Sequence, residues 1–126
     1  MRKQYHFRPS EKGYYAWDID RLIALSKNFE RKEVLLEAIN ELDENFWFGG
    51  KGDVATCRAI VDHMRLIHEA DLSYPVILSS EGRVMDGMHR IAKALYEGKE
   101  KISAVQFRET PEPDYENVYP DELPYE

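Results

Sequence analysis

Five consecutive residues, Asp86-Gly87-Met88-His89-Arg90, combine side-chain types that suit phosphate chemistry. The guanidinium of Arg90 can donate two hydrogen bonds to phosphate oxygens, and the imidazole of His89 can donate another. The carboxylate of Asp86 does not bind phosphate directly, but it can hold Mg²⁺ or orient a reacting hydroxyl. These residue types indicate a site for a phosphate-bearing ligand, with Asp86 as its metal ligand.

The surrounding sequence places this segment at a corner between a strand and a helix. Residues 75–78 form a short apolar run typical of a buried strand, 80–83 a turn, and 84–85 a returning strand. From Met88 onward apolar residues recur at helical spacing, and Gly98 stands where a helix commonly ends. The first amides of a helix lack partners within it and face a positive dipole end, so an anion is favoured there.

Structural interpretations compete with this functional one. Asp86 could cap the helix, Arg90 could pair with a surface carboxylate, and His89 could be a hydrogen-bonded structural histidine. Gly87 would let a ligand approach the backbone closely, or it could simply serve the turn.

Composition predicts one globular domain. The chain has 126 residues, of which 43% are hydrophobic and 33% charged, and no apolar run long enough to span a membrane. The first residues lack the apolar stretch of a signal peptide. A single cysteine, Cys57, suits a reducing cytoplasm, where we expect the protein to act.

The net charge of −7 lies in the last segment. Residues 109–126 hold seven acidic side chains and no Lys or Arg, so residues 1–108 balance at 17 basic and 17 acidic groups. A balanced body argues against a DNA-binding face, because nonspecific DNA affinity comes mainly from Lys and Arg.

The chain divides into an aromatic and basic segment (1–16), a folded domain (17–108) and an acidic tail rich in Pro and Tyr (109–126). The first segment is either a nucleic-acid arm or a strand that packs its aromatic rings on the body, and the size of these rings favours the strand. The prolines exclude a regular helix or central strand from the tail, which is either disordered or wrapped over the surface.

The remaining elements follow from periodicity and capping. We expect a helix over 17–26 capped by Asp18, a strand over 32–36, a helical turn over 37–42 and a strand over 102–107. A long helix should begin at an Asp53 cap and end near residue 70. Its predicted core face contains Cys57, Ile60, Val61, Met64 and Ile67.

Residues 43–52 are predicted to form a loop with an acidic start, three aromatic residues and three glycines. Its glycines do not make a Walker-type loop, because Lys51 is followed by glycine rather than Ser or Thr. The loop is either a lid over a ligand or a surface loop anchored by Trp47.

Over about residues 34–107, this order of elements and the corner resemble the ParB/sulfiredoxin superfamily. The corner is most similar to the Asp-Gly-His-His-Arg sequence of ADP-dependent free serine kinases. The resemblance implies a single α/β (α+β) domain in which a small mixed sheet packs with helices, followed here by the irregular acidic tail. The chain as a whole looks like small stand-alone bacterial ParB-like proteins.

The resemblance also implies roles for individual residues. Gly87, Met88, His89 and Arg90 occupy the positions that bind nucleotide phosphates, and Asp86 matches a carboxylate that acts near the transferred phosphate or its Mg²⁺. A second catalytic carboxylate precedes the long helix in those kinases. Here it would be Asp43 or Glu44. Met88 stands where sulfiredoxins have their cysteine, which argues against sulfinic acid reduction.

The leading hypothesis is therefore a domain that binds ATP, ADP or CTP with Mg²⁺ and transfers phosphate to a small-molecule acceptor. A second hypothesis is a non-enzymatic adaptor, gated by nucleotide, that contacts a protein partner through the acidic tail. A third is a nucleic-acid binder or nuclease that uses residues 1–16.

Overall fold

The computed structural model describes residues 2–50 and 52–126. Met1 and Lys51 lie outside the described residues, so the absence of a Walker-type loop at Lys51 stays a prediction. The described residues form three α-helices and seven strands in two sheets, which confirms the mixed helix and strand content. Within this part of the chain, no helix combines the length and apolar character needed to cross a membrane.

The central sheet has four strands in the order β3-β6-β4-β5. They are β3 (Lys32–Leu35), β4 (Val76–Leu78), β5 (Val84–Asp86) and β6 (Lys101–Gln106). Strand β6 runs parallel to β4 and antiparallel to β3, while β5 returns antiparallel to β4. All three residues of β4 are buried, as the apolar run predicts for a strand with both faces covered.

Each face of the central sheet packs on its own hydrophobic cluster. Val76 and Leu78 of β4 point into a cluster formed with helix α3 (Met88–Tyr96) and the short 3₁₀ turns Leu36–Ala38 and Asn40–Asp43. Ile77 points the other way, toward helix α1 (Ile19–Ser26). This alternation follows from the two-residue period of a strand and holds the start of α3 against the sheet.

A second sheet joins the two ends of the chain. Strands β1 (Tyr5–Ser10) and β2 (Gly13–Asp18) form a hairpin, and β7 (Tyr115–Val118) pairs with β2. After β7, a 3₁₀ turn spans Pro120–Glu122. The strand interpretation of residues 1–16 is confirmed, and the acidic tail wraps over the body.

Two side chains fasten this sheet to the rest. The indole Nε1 of Trp17 donates to the carbonyl of Pro111 over 2.8 Å, and Leu123 of the tail is buried. Asp18 caps α1 as predicted, accepting from the Asp20 amide at 2.9 Å. Trp17 was expected in that helix, but it belongs to β2 because strand pairing extends to Asp18.

Helix α2 (Cys57–Glu69) begins later than predicted. Its N-cap is Thr56, whose hydroxyl accepts from the Ala59 amide at 3.1 Å. The Asp53 cap is therefore wrong. The Asp53 amide instead donates to the Gly50 carbonyl, which keeps this residue in the preceding loop.

The predicted core face of α2 is also wrong. Ile60, Val61 and Met64 are exposed, and no residue of this helix is fully buried. The side of the helix that contacts α3 carries His63 instead, and of the predicted face Ile67 is partly buried.

Candidate functional site

The corner (residues 86–90) lies where β5 ends and α3 begins. Gly87 is the N-cap residue of α3 and has φ +108°, a backbone conformation that side chains with a Cβ rarely adopt. A Cβ on this residue would lie 2.6 Å from Cγ1 of Val76 and 3.0 Å from Nη2 of Arg90. Close packing within the chain therefore requires glycine here, whether or not a ligand approaches.

The first turn of α3 presents free amide groups. Gly87 has no side chain to cap the helix, and among residues 2–50 and 52–126 the amides of Met88, His89 and Arg90 find no acceptor. The first backbone hydrogen bond of the helix runs from the Ile91 amide to the Gly87 carbonyl at 3.0 Å. Three unpaired donors at the positive end of a helix dipole make a favourable place for an anion.

Arg90 is held at the corner rather than extended into solvent. Its Nη1 donates to the Pro75 carbonyl at 2.8 Å, and its Nη2 pairs with Asp86 at 2.9 Å. Its side chain is 16% exposed. Since a guanidinium has five N–H donors, these two contacts fix its orientation and leave others for a ligand.

Asp86 is a half-buried carboxylate in a mixed environment. Burial raises its pKa above the usual value, while the charge and hydrogen bond of Arg90 and the Gly87 amide act in the opposite direction. The carboxylate is thus oriented by Arg90 and more basic than one at the surface.

His89 belongs to a stack of three rings. Its Nε2 lies 2.9 Å from Nδ1 of His63, and the indole of Trp47 stacks on both imidazoles at centroid distances of 4.8 and 4.4 Å. Burial, together with His63, lowers the pKa of His89 to about 4. At neutral pH His89 is therefore uncharged. Its Nδ1 can donate to a ligand when Nδ1 of His63 donates to its Nε2, because a neutral imidazole carries one N–H.

Two cavities meet at the corner, and residues 86–89 line both. The larger, of about 750 Å³, is the charged cavity. Its described charged residues are Arg2, Lys27, Arg31, Arg90, Asp20, Glu69, Asp71 and Asp86. The smaller, of about 440 Å³, is the aromatic cavity. Its described aromatic residues are Tyr5, His6, Phe7, Tyr14, Phe46, Trp47 and His89.

The structure brings most of the sequence-predicted site together but not all of it. Asp86, Gly87, His89 and Arg90 meet at the corner, whereas the Met88 side chain is buried in the core, leaving its amide for a ligand. Asp43 and Glu44 line neither cavity. Glu44 forms two hydrogen bonds with the guanidinium of Arg83, at 2.6 and 2.9 Å.

A neighbouring acidic residue, Glu41, has a different role that the sequence did not reveal. It is 2% exposed, accepts from the Val84 amide at 2.7 Å and contacts Nε of Arg83 at 3.2 Å. These contacts fasten the 3₁₀ turn to the start of β5. The helical pattern of residues 37–42 does not indicate that the Glu41 side chain is buried.

His63 is the residue at the corner that sequence reasoning missed. His63 and His89 are far apart along the chain, so no spacing rule predicts their contact. His63 and His68 are five residues apart, which is not the spacing of a metal-binding helix face. The described residues contain no group of three or more His, Cys, Asp or Glu placed to hold a metal ion. Asp86 therefore belongs to no such group.

Comparisons with protein families, curated proteins and solved structures found no match to this chain. The function proposed below therefore depends on the chain's own residues and geometry.

Proposed function

We propose that this chain is a ParB/sulfiredoxin-like domain that binds the phosphates of a nucleotide, ATP, ADP or CTP, at the N-terminus of α3. The observation that carries the proposal is the set of three unpaired amides, from Met88 to Arg90, in the wall between two cavities. Backbone amides at a helix start bind phosphate through both hydrogen bonds and the helix dipole.

Side chains around the amides support the same ligand. Arg90 keeps free N–H donors that face the charged cavity, and three further cationic residues line it. Acidic residues equal these cations in number, so the cavity does not attract anions by net charge. The binding energy must come mainly from the directed donors of the corner.

Mg²⁺ fits this site as a partner of the nucleotide. Mg²⁺ is commonly bound through one or two carboxylates while phosphates and water supply the other ligands, so the single Asp86 is sufficient. The ion would neutralise phosphate charge when bound. Arg90 competes for the same carboxylate, so the Asp86–Arg90 pair at 2.9 Å must loosen as the ion enters.

Phosphate transfer to a small-molecule acceptor is the enzymatic extension of this proposal. Phosphoryl transfer depends mainly on positioning and charge neutralisation, together with a group that orients the attacking hydroxyl. The raised pKa of the Asp86 carboxylate supports that last role for it, because a more basic carboxylate is a better acceptor for the proton of a hydroxyl. The catalytic role of Asp43 or Glu44 stays a prediction, and the binding site does not depend on it.

The alternative functions receive less support from the described contacts. The acidic tail packs on the chain's own hairpin, which reduces the surface that it can offer to a protein partner. The aromatic rings of residues 1–16 pack in the same sheet, so this segment is not a free arm for nucleic acid. A cytoplasmic location, suited to a single free cysteine, is part of the proposal.

Isothermal titration calorimetry with ATP, ADP and CTP in the presence of Mg²⁺ tests the binding site. We expect at least one nucleotide to bind, and the His89→Phe variant, which keeps a ring in the stack, to bind about 10-fold more weakly because a donor is lost. His68→Phe is the matched control, since His68 lies outside both cavities. No heat with any nucleotide on folded protein would overturn the proposal.

A further inference from the structure

We propose that the aromatic cavity binds the heterocyclic base of the nucleotide and prefers a base with an exocyclic amino group. This inference rests on the proposed function, because it takes the phosphates to be held at the corner, beside the aromatic cavity. The two cavities share residues 86–89, so one ligand can occupy both.

One wall of the aromatic cavity comes from the N-terminal hairpin. Tyr5 and Phe7 alternate along β1, and Tyr14 follows on β2. Their rings contact one another, with centroid distances of 6.1 Å between Tyr5 and Phe7 and 6.0 Å between Phe7 and Tyr14. The rings are inclined to one another by 46° and 74°, so they make no flat platform, but a planar base can stack on the face of one of them.

The opposite wall comes from the loop that precedes α2. Phe46 and Trp47 line the cavity, and their rings contact edge to face at 6.4 Å. Trp47 is held in place by stacking on His63 and His89, so this wall is attached to the corner itself. The loop therefore forms a fixed boundary next to the phosphate-binding amides.

The hairpin and the acidic tail lie outside residues 34–107, the part of the chain that resembles a known superfamily. Pro120 of the tail also lines the aromatic cavity, beside Tyr14 of the hairpin. These added segments thus build a cavity that the central domain alone would leave open. Holding part of the ligand gives the hairpin and the tail a function.

The charged groups of the cavity favour a hydrogen-bond donor on the ligand. Asp53 lines it, and an ionised carboxylate accepts hydrogen bonds but donates none. The Asp53 carboxylate lies close to the backbone of Gly50, where a Cβ would be 2.5 Å from Oδ2. An amino group on adenine or cytosine can donate to such an acceptor, whereas the oxo group that replaces it in hypoxanthine or uracil cannot. The ring N–H next to that oxo group is still a donor, so we expect a several-fold preference and not complete rejection.

Calorimetry with matched ligands tests this inference. Tripolyphosphate measures the phosphate contribution, ATP against ITP and CTP against UTP measure the amino group, and all are titrated with Mg²⁺. We expect ATP to bind about 10-fold more tightly than tripolyphosphate through stacking. The amino-bearing member of each pair should bind several-fold more tightly than its oxo counterpart, by roughly the difference that one hydrogen bond makes.

Variants separate the two parts of the site. Tyr14→Ser should remove most of the advantage of ATP over tripolyphosphate and leave tripolyphosphate binding unchanged. Tyr96→Ser is the matched control, because Tyr96 is 78% exposed and lines neither cavity. If Tyr14→Ser does not fold, Phe46→Ser on the loop serves instead, since Phe46 is partly exposed and its loss disturbs little packing.

Each outcome decides between the proposals. If tripolyphosphate binds as tightly as ATP, the aromatic cavity holds no base and the inference is overturned. If ATP and ITP bind equally and both exceed tripolyphosphate, the base subsite stands and the amino-group preference is wrong. If neither tripolyphosphate nor any nucleotide binds, the proposed function itself fails.

Discussion

Replacing Gly87 with alanine should destabilise the protein more than the same change at Gly98, the glycine at the other end of α3. The substitution places a Cβ 2.6 Å from Cγ1 of Val76, a residue with no exposed surface in the middle of the sheet. It also forces a residue with a Cβ to adopt φ +108°. The steric contact and the backbone strain can be measured separately, because only the steric contact depends on Val76.

The expected cost follows from both effects. Left-handed backbone conformation costs a residue with a Cβ about 1–2 kcal/mol. Inserting a methyl group into a packed core adds about 1–3 kcal/mol because neighbouring side chains must move. Together they give about 2–5 kcal/mol, a large part of the roughly 5–15 kcal/mol that keeps a domain folded.

Urea denaturation of four variants, Gly87→Ala, Gly98→Ala, Val76→Ala and the Gly87→Ala/Val76→Ala double variant, measures these terms. Gly98→Ala is the matched control, because Gly98 ends α3 at φ +76° and a Cβ there meets no atom within 4 Å. It should lose only the conformational part. Adding Val76→Ala to Gly87→Ala should cost less than the sum of the two single changes, since it removes the contacting methyl group. Equal losses for Gly87→Ala and Gly98→Ala would refute this account of the corner.

Two further predictions concern acid sensitivity and capping. Burial and the charge of Arg8 lower the pKa of His6 from 6.5 to about 4, so its stabilising neutral form is complete above pH 6.5 and lost as the pH falls toward 4. Between pH 7 and pH 4.5, the free energy of unfolding of His6→Phe, measured by urea denaturation, should therefore fall less than that of the unmodified protein. The difference between the two falls should be up to roughly 3 kcal/mol. Asp18→Ala should lower the stability by about 1 kcal/mol in thermal denaturation, because the Asp20 amide loses its acceptor.

Controls distinguish these effects from general damage. His68→Phe replaces an exposed histidine and should keep the acid sensitivity of the unmodified protein. An identical pH response for His6→Phe and the unmodified protein would contradict the role of His6. Asp18→Asn keeps an oxygen for the cap but loses the charge that pairs with Lys3 at 2.8 Å, so it should be more stable than Asp18→Ala.

The corner could be predicted from the sequence because local rules decide it. The apolar run of β4, the turn after it and the change to helical spacing at Met88 each act over a few residues. Gly98 ends α3 as predicted, with the Lys99 amide donating to the Ala94 carbonyl at 3.0 Å in a Schellman arrangement. Short-range signals therefore locate this element along the chain, while its packing on the sheet comes from other parts of the chain.

Helix α2 could not be placed because periodicity shows that a helix has an apolar stripe but not what covers it. The side of the helix that faces α3 carries His63, which contacts His89, and these two residues are far apart in sequence. The cap at Thr56 rather than Asp53 has a similar origin, since the loop bond from Asp53 to Gly50 competes with helix initiation. Long-range contacts thus overrode a regular local pattern.

The aromatic cavity also lay beyond sequence reasoning. Its walls come from the two ends of the chain and a central loop, and no spacing rule relates Tyr14 to Phe46 or Pro120. The aromatic content of residues 1–16 indicated packing, but its destination depended on the pairing of β7 with β2. The residues that surround the predicted site therefore come together only in the folded chain.

The central claim is that the first amides of α3 bind phosphate, and amide chemical shifts measure this most directly. In ¹H–¹⁵N spectra of the labelled protein titrated with ATP and Mg²⁺, we predict saturable shifts at the amides of Met88, His89 and Arg90, repeated at lower affinity with tripolyphosphate. Spectra in which these three amides stay unmoved, at ligand concentrations that saturate any shifts elsewhere, would contradict the claim.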